Sequence, residues 1–238
     1  MGSWVGPEVL ILRRPSLCVA SLLTILLFRD DPYVKEFDAQ VVSSQGTVII
    51  LNRTCFFPQG GGQVGDTGEI SGVRVIDTRK TDDEVVHILE RESPFSPGQR
   101  VRGRIDWERR YRIMRLHSAA HLVFYAMKDI FGEECRPASS GLLDDEKDRS
   151  DYSFEAPIDR AKLAEVEERV NRLIASALPI THAATKEDPD RLLWKIQPYD
   201  PLACGGTHVR NTAEIGRVKV ERGKKRGKGK ERIEISLA

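Results

Sequence analysis

The chain has 238 residues, long enough for two small domains or one larger one with a real buried core. Its 37 lysines and arginines nearly balance 36 acids, for a net charge of +1, so no global basic excess points to nucleic acid and any such binding must come from local patches. The four cysteines, Cys18, Cys55, Cys135 and Cys204, are far apart and form no CxxC pair, which excludes a disulfide scaffold and fits a reducing compartment.

At the N-terminus, Arg13, Arg14 and Pro15 precede an apolar run over 17–28. The run is too short to span a bilayer. No small-residue cleavage site follows it, only Arg29, Asp30 and Asp31, so it reads as an edge strand or an extended leader rather than a signal. From Tyr33 to about Ile105 short β-branched segments alternate with turn residues: 39–42, 46–51, 72–77, 84–89 and 101–105. That spacing predicts a small barrel or sandwich.

At Asp106 the periodicity changes. Ile113, Leu116, Ala120, Phe124, Met127 and Phe131 recur at helical spacing, and Gly132 is a natural stop. A second helix is predicted over 160–178, capped by Asp159, with Leu163, Val166, Val170, Leu173 and Ala177 on its apolar face and Pro179 closing it. Strands are expected over 180–184, 217–220 and 232–236. The fold class is therefore α+β: an N-terminal extension (1–30), a small β-barrel-like domain with a glycine-rich loop (31–106), and an α+β domain with helices packed on an antiparallel sheet (107–238).

Two short motifs carry metal chemistry. His117 and His121 lie at i and i+4, so a helix presents both imidazoles on one face. No glutamate follows the first histidine, which excludes the HExxH protease arrangement. Cys204-Gly205-Gly206-Thr207-His208 places a thiolate and an imidazole around two glycines that permit a tight turn. Each half alone is weak; a histidine pair or a Gly-Gly turn is more often structural. Together they make a three-histidine, one-cysteine set suited to one zinc ion per chain. A structural zinc uses four protein ligands and a catalytic one keeps a position open, so one ligand must yield, or the ion expand its coordination, if the site is catalytic.

The segment 56–68, Phe-Phe-Pro-Gln-Gly-Gly-Gly-Gln-Val-Gly-Asp-Thr-Gly, is glycine-rich but lacks the GK[ST] of a phosphate loop and the flanking strand and helix of a dinucleotide fingerprint. It reads either as a turn between strands or as a place where backbone approaches a ligand, with Gln63 presenting its amide. Near the C-terminus Arg222, Lys224, Lys225, Arg226, Lys228, Lys230 and Arg232 crowd a glycine-spaced hairpin, and Arg109, Arg110, Arg112 and Arg115 lead into the histidine helix. Such runs are usually solvated charge; here they adjoin the metal set, which suits a phosphate backbone.

In combination, the stretch 54–68, His117-Ser118-Ala119-Ala120-His121, and Cys204-Gly205-Gly206-Thr207-His208 with Ile215-Gly216 closely resemble the AlaX family of alanyl-tRNA editing proteins, two-domain form, and the editing domain of alanyl-tRNA synthetase. The resemblance covers about 31–237, and three motifs in order are highly specific. It implies a cytoplasmic, trans-acting deacylase, not membrane-bound, whose partner is tRNA(Ala) mischarged with serine or glycine. The zinc ligands implied are His117, His121, Cys204 and His208. Gln63 and Thr207 are the implied catalytic residues, Gly61 and Gly62 line the substrate, and Lys224, Lys225, Arg226, Lys228 and Lys230 face the tRNA. The family reads serine with a hydroxyl side chain soon after the histidine helix, and Ser139 or Ser140 occupies that region here. An acceptor site sized for alanine cannot strongly reject serine, which is why a second, hydrolytic sieve is useful. The alternative is a non-catalytic tRNA-binding module with a structural zinc.

Overall fold

The computed structural model describes residues 24–238 apart from 82–83, 133–134, 155–157, 186–190 and 225–228. Of the segment expected to be an extension, the described part folds onto the barrel. A two-residue strand β1 (Ile25–Leu26) leads into one helical turn α1 (Leu27–Asp30), Thr24 Oγ1 donates to Leu51 O at 3.1 Å, and buried Phe28 sets its ring edge on Phe57.

The barrel follows. Its strands are β2 (Glu36–Gln45), β3 (Val48–Leu51), β5 (Gly68–Ile70), β6 (Val73–Lys80), β7 (Val85–Leu89) and β8 (Arg100–Ile105), with the short β4 (Arg53–Thr54) pairing parallel to β1. They close in the order β2-β3-β7-β6-β5-β8, and β8 returns to pair with β2. Alternation drives this: in β8 Val101, Gly103 and Ile105 point in while Arg100, Arg102 and Arg104 point out. Gly103 has no side chain because the Phe37 ring occupies that space.

Inside the barrel His87 is fully buried. Thr54 Oγ1 lies 2.9 Å from its Nε2, and its Nδ1 lies 3.3 Å from Ile49 O, which can only accept, so the neutral ring carries its proton on Nδ1. Burial lowers its pKa to about 4.

The helix α2 (Trp107–Phe131) starts directly after β8 and ends at Gly132, whose φ of 62° suits glycine. Strands β9 (Arg136–Leu143) and β10 (Lys147–Ser153), absent from the sequence-based expectation, form a hairpin. They join β14 (Val218–Arg222) and β15 (Lys230–Leu237) in an antiparallel sheet of order β14-β15-β10-β9. The second long helix, α3 (Arg160–Ala175), is capped by Asp159, whose carboxylate accepts from Ala161 N at 2.9 Å. It stops at Ala175 rather than Leu178, because Ala177 turns left-handed with φ 51°. Both helices pack on the sheet through one buried cluster that includes Val123, Met127, Leu163, Val166, Ile233 and Ile235. A small sheet of β11 (Thr181–Ala184), β12 (Leu192–Lys195) and β13 (Leu202–Ala203) completes this half. Among the described residues no helix is long and apolar enough to cross a membrane.

The first turns of α2 bind the barrel to the rest. Arg110 is wholly buried, in an ion pair with buried Asp66, and its Nη2 also donates to Cys55 O at 2.7 Å. Arg109 donates to Gly65 O, Arg112 to Asp145 O and Arg115 to Ile215 O. All four arginines thus bond protein carbonyls where the barrel meets the helix, with Arg110 buried and Arg112 still exposed.

Two stability outcomes follow. Arg110→Ala strands the Asp66 charge in the interior and should cost about 3–5 kcal/mol in denaturant unfolding. His87 must be neutral when folded but protonates freely when unfolded, so its contribution is complete above pH 6.5 and is lost as pH falls toward about 4. Unfolding free energy should drop by about 3 kcal/mol across that window on this residue's account, and by correspondingly less in His87→Gln.

Candidate metal centre

The middle of α2 places His117 and His121 one turn apart, with ring centroids separated by 5.1 Å. Cys204 follows β13, its N–H donating to Leu192 O, and the Gly205-Gly206 turn brings His208 back beside it. Cys204 Sγ lies 3.5 Å from His117 Nε2 and 3.2 Å from His208 Nε2. Ligand atoms of all four residues lie within 4.8 Å of one another. A tetrahedral zinc with Zn–N near 2.0 Å and Zn–S near 2.3 Å needs nitrogen–sulfur separations of about 3.5 Å. The four residues could hold a metal ion.

Three further observations fit a metal. Thr207 N–H, which can only donate, lies 3.1 Å from Gln63 Oε1, and this fixes the amide's orientation. The same oxygen lies 2.9 Å from His117 Nδ1, so that nitrogen carries the proton and the Nε2 lone pair faces the cluster. Likewise Ser118 Oγ donates to Met114 O at 2.9 Å and so accepts from His208 Nδ1 at 3.4 Å, turning that ring's Nε2 inward. His121 Nε2 is buried without a hydrogen-bond partner, an orphan that a cation would satisfy.

Burial sets the electrostatics. It lowers His117 to about 3, with His182 adding repulsion, and carries His121 and His208 well below the usual histidine value. It also pushes the Cys204 thiol up to about 11. Protein groups alone therefore keep all four donors neutral; a bound divalent cation is what would favour the thiolate.

The expected catalytic pair is buried and hydrogen-bonded together. Gln63 and Thr207 are 0% and 1% exposed, and Gln63 Nε2 donates to Thr207 Oγ1 at 3.0 Å. Gln63 thus presents its amide to His117 and Thr207. Gly206 must lack a side chain, since a Cβ there would overlap His117 and Gln63. The glycine-rich loop docks on β9, with Val64 N donating to Leu143 O and Leu143 N to Gly62 O. Gly61 and Gly62 line a cavity of about 230 Å³ together with His117 and His121.

Ser139 and Ser140 lie on β9, but their side chains are outside the described residues. So are Lys225, Arg226 and Lys228, while Lys224 and Lys230 are exposed on either side of them. Arg222 and Arg232 are not part of a free basic patch: they pair with Glu231 and Asp151 across the sheet. Sequence reasoning passed over Ser118, and over His182, whose Nε2–H donates to Cys204 O at 2.7 Å. The serine inside the histidine motif was the available signal for the first; His182 stands outside any motif.

The fold and site thus define a six-stranded barrel joined to an α+β body with a buried three-histidine, one-cysteine cluster. The family described as tRNA synthetases class II (A) matches residues 24–109, and the threonyl and alanyl tRNA synthetase second additional domain matches residues 194–234. Alanine–tRNA ligase of Ignicoccus hospitalis is 38% identical over 231 residues, covering 88% of this chain and 25% of that protein. The ligase of Metallosphaera sedula is 37% identical, over 82% of this chain and 24% of its own length, and that of Saccharolobus islandicus 35% over the same shares. The chain spans about a quarter of the curated relatives it matches. It is an AlaX-like protein related to alanine–tRNA ligase.

Cobalt titration checks the cluster directly. The wild-type chain should show a thiolate-to-cobalt charge-transfer band that Cys204→Ala lacks. Gln63→Leu, which frees the His117 ring, should weaken metal affinity by about 10- to 100-fold.

Proposed function

We propose that this chain is a trans-editing deacylase that hydrolyses the ester of tRNA(Ala) mischarged with serine, and with glycine as a second substrate, at one zinc held by His117, His121, Cys204 and His208. The observation that carries this reading is the meeting of the cluster with the cavity, which His117 and His121 line together with Gly61 and Gly62. The relationship to alanine–tRNA ligase, including the second additional domain, supports the ester of an aminoacyl-tRNA as the substrate class.

Zinc would supply Lewis acidity there, polarising the ester carbonyl or lowering the pKa of an attacking water. The chain's own residues do the rest. Gln63 and Thr207 lock the His117 ring, and Ser118 locks His208. The glycines bring the loop backbone against the acyl group without side chains in the way. Lys224 and Lys230, with Lys225, Arg226 and Lys228 between them, would meet the tRNA backbone. Gln63 and Thr207 are assigned to positioning here rather than to proton transfer.

The complete four-donor set favours a second reading, a structural zinc in a tRNA-binding module. Deacylation separates the two. Wild type should release serine from Ser-tRNA(Ala), and Cys204→Ala and His117→Ala should abolish release. Full activity in both variants would sink the zinc site; tRNA binding by wild type without any turnover would leave the module.

A further inference from the structure

The lining of the cavity includes a buried carboxylate that hydrolysis at the cluster leaves unused. Asp148, near the start of β10, is 5% exposed and lines the cavity with Ser150 and Tyr152. Neighbouring charges are committed elsewhere: Lys147 reaches Glu234 at 2.5 Å, Arg149 reaches Asp144 at 2.8 Å, and Asp151 binds Arg232. Asp148 has no ion pair among the described residues; its Oδ2 accepts from Ser150 Oγ at 2.7 Å. Among the described residues no lysine or arginine lines the cavity. Burial pushes the Asp148 carboxyl up to about 6, against the lowering effects of the Ser150 hydroxyl, the Arg149 charge and backbone N–H, and the Arg232 charge. The side chains lining the cavity offer this carboxylate no ion pair, and a ligand that brings an ammonium would supply one.

An aminoacyl ester brings such a cation, its α-ammonium, two bonds from the carbonyl carbon that reacts. We propose that Asp148, oriented by Ser150, binds the α-ammonium of the aminoacyl group and restricts this site to esters of free α-amino acids. This rests on the hydrolytic reading for the substrate class but on separate residues for its recognition. Asp148 sets acceptance of the acyl group; the distinction between serine and alanine belongs to other groups.

The test uses stable amides in place of the ester, with the full zinc-loaded chain and calorimetric binding. The probes are 3′-seryl- and 3′-glycyl-amino-3′-deoxyadenosine and their counterparts with hydroxyl in place of ammonium. Wild type should bind each ammonium-bearing probe about 10- to 100-fold more tightly than its hydroxyl counterpart, the margin of a charge-assisted hydrogen bond. Asp148→Asn, which keeps an acceptor for Ser150, should erase both margins, and Ser150→Ala should narrow them. Equal binding of each pair by wild type overturns the proposal without recourse to any variant. So does Asp148→Asn that keeps both margins, or that loses only a preference for serine over glycine, which would make Asp148 a receptor for the side-chain hydroxyl. A wild type with the ammonium preference but no turnover of Ser-tRNA(Ala) would sink hydrolysis and leave Asp148 standing; turnover without the preference would do the reverse.

Discussion

One buried amide ties the site together. Gln63 comes from the barrel's glycine-rich loop, His117 from the long helix and Thr207 from the Gly-Gly turn, and the Gln63 side chain hydrogen-bonds to both. No solvent reaches it, so each of these bonds would be expensive to leave unmade. The amide has one acceptor oxygen, and a backbone N–H has already fixed which way it points. The histidine tautomer is then determined, and with it the direction of the lone pair that a metal would use. Nearly every feature of the site, from the missing Cβ of Gly206 to the approach of the loop, serves this contact.

The larger architecture keeps that contact in register. The loop leaves the barrel where Asp66 meets Arg110, so a buried ion pair fixes the loop's base while main-chain bonds to Leu143 fix its tip. A buried pair of this kind adds little net stability over an apolar replacement, but it tolerates only one geometry. We read it as a device for holding helix and loop at one spacing. The barrel therefore contributes to the cluster without supplying a ligand.

Much of this was legible in the sequence. Alternation announced the barrel strands, and helical spacing announced both long helices; the HxxxH and CGGTH motifs marked four residues that the fold does bring together. What was hidden had physical reasons. Segment 136–153 was given no element from the sequence, yet it forms two strands, with Lys147 and Asp151 finding partners at Glu234 and Arg232 on β15. Pairing of that kind depends on strands nearly ninety residues apart. Gln63 and Arg110 looked like groups offered to a ligand; both turn inward, and polarity alone does not tell a presented side chain from a buried, satisfied one. Asp148 belongs to none of the motifs read from the sequence. Its burial, and the cavity it faces, exist only in the folded chain.

The most direct test of the account is single-turnover hydrolysis of Ser-, Gly- and Ala-tRNA(Ala) by the wild-type chain, before and after chelation and again after zinc is restored. The account predicts release of serine and of glycine, sparing of alanine, loss of both activities with the metal and their return with zinc. Hydrolysis that is indifferent to chelator, or that treats alanine as it treats serine, would contradict it.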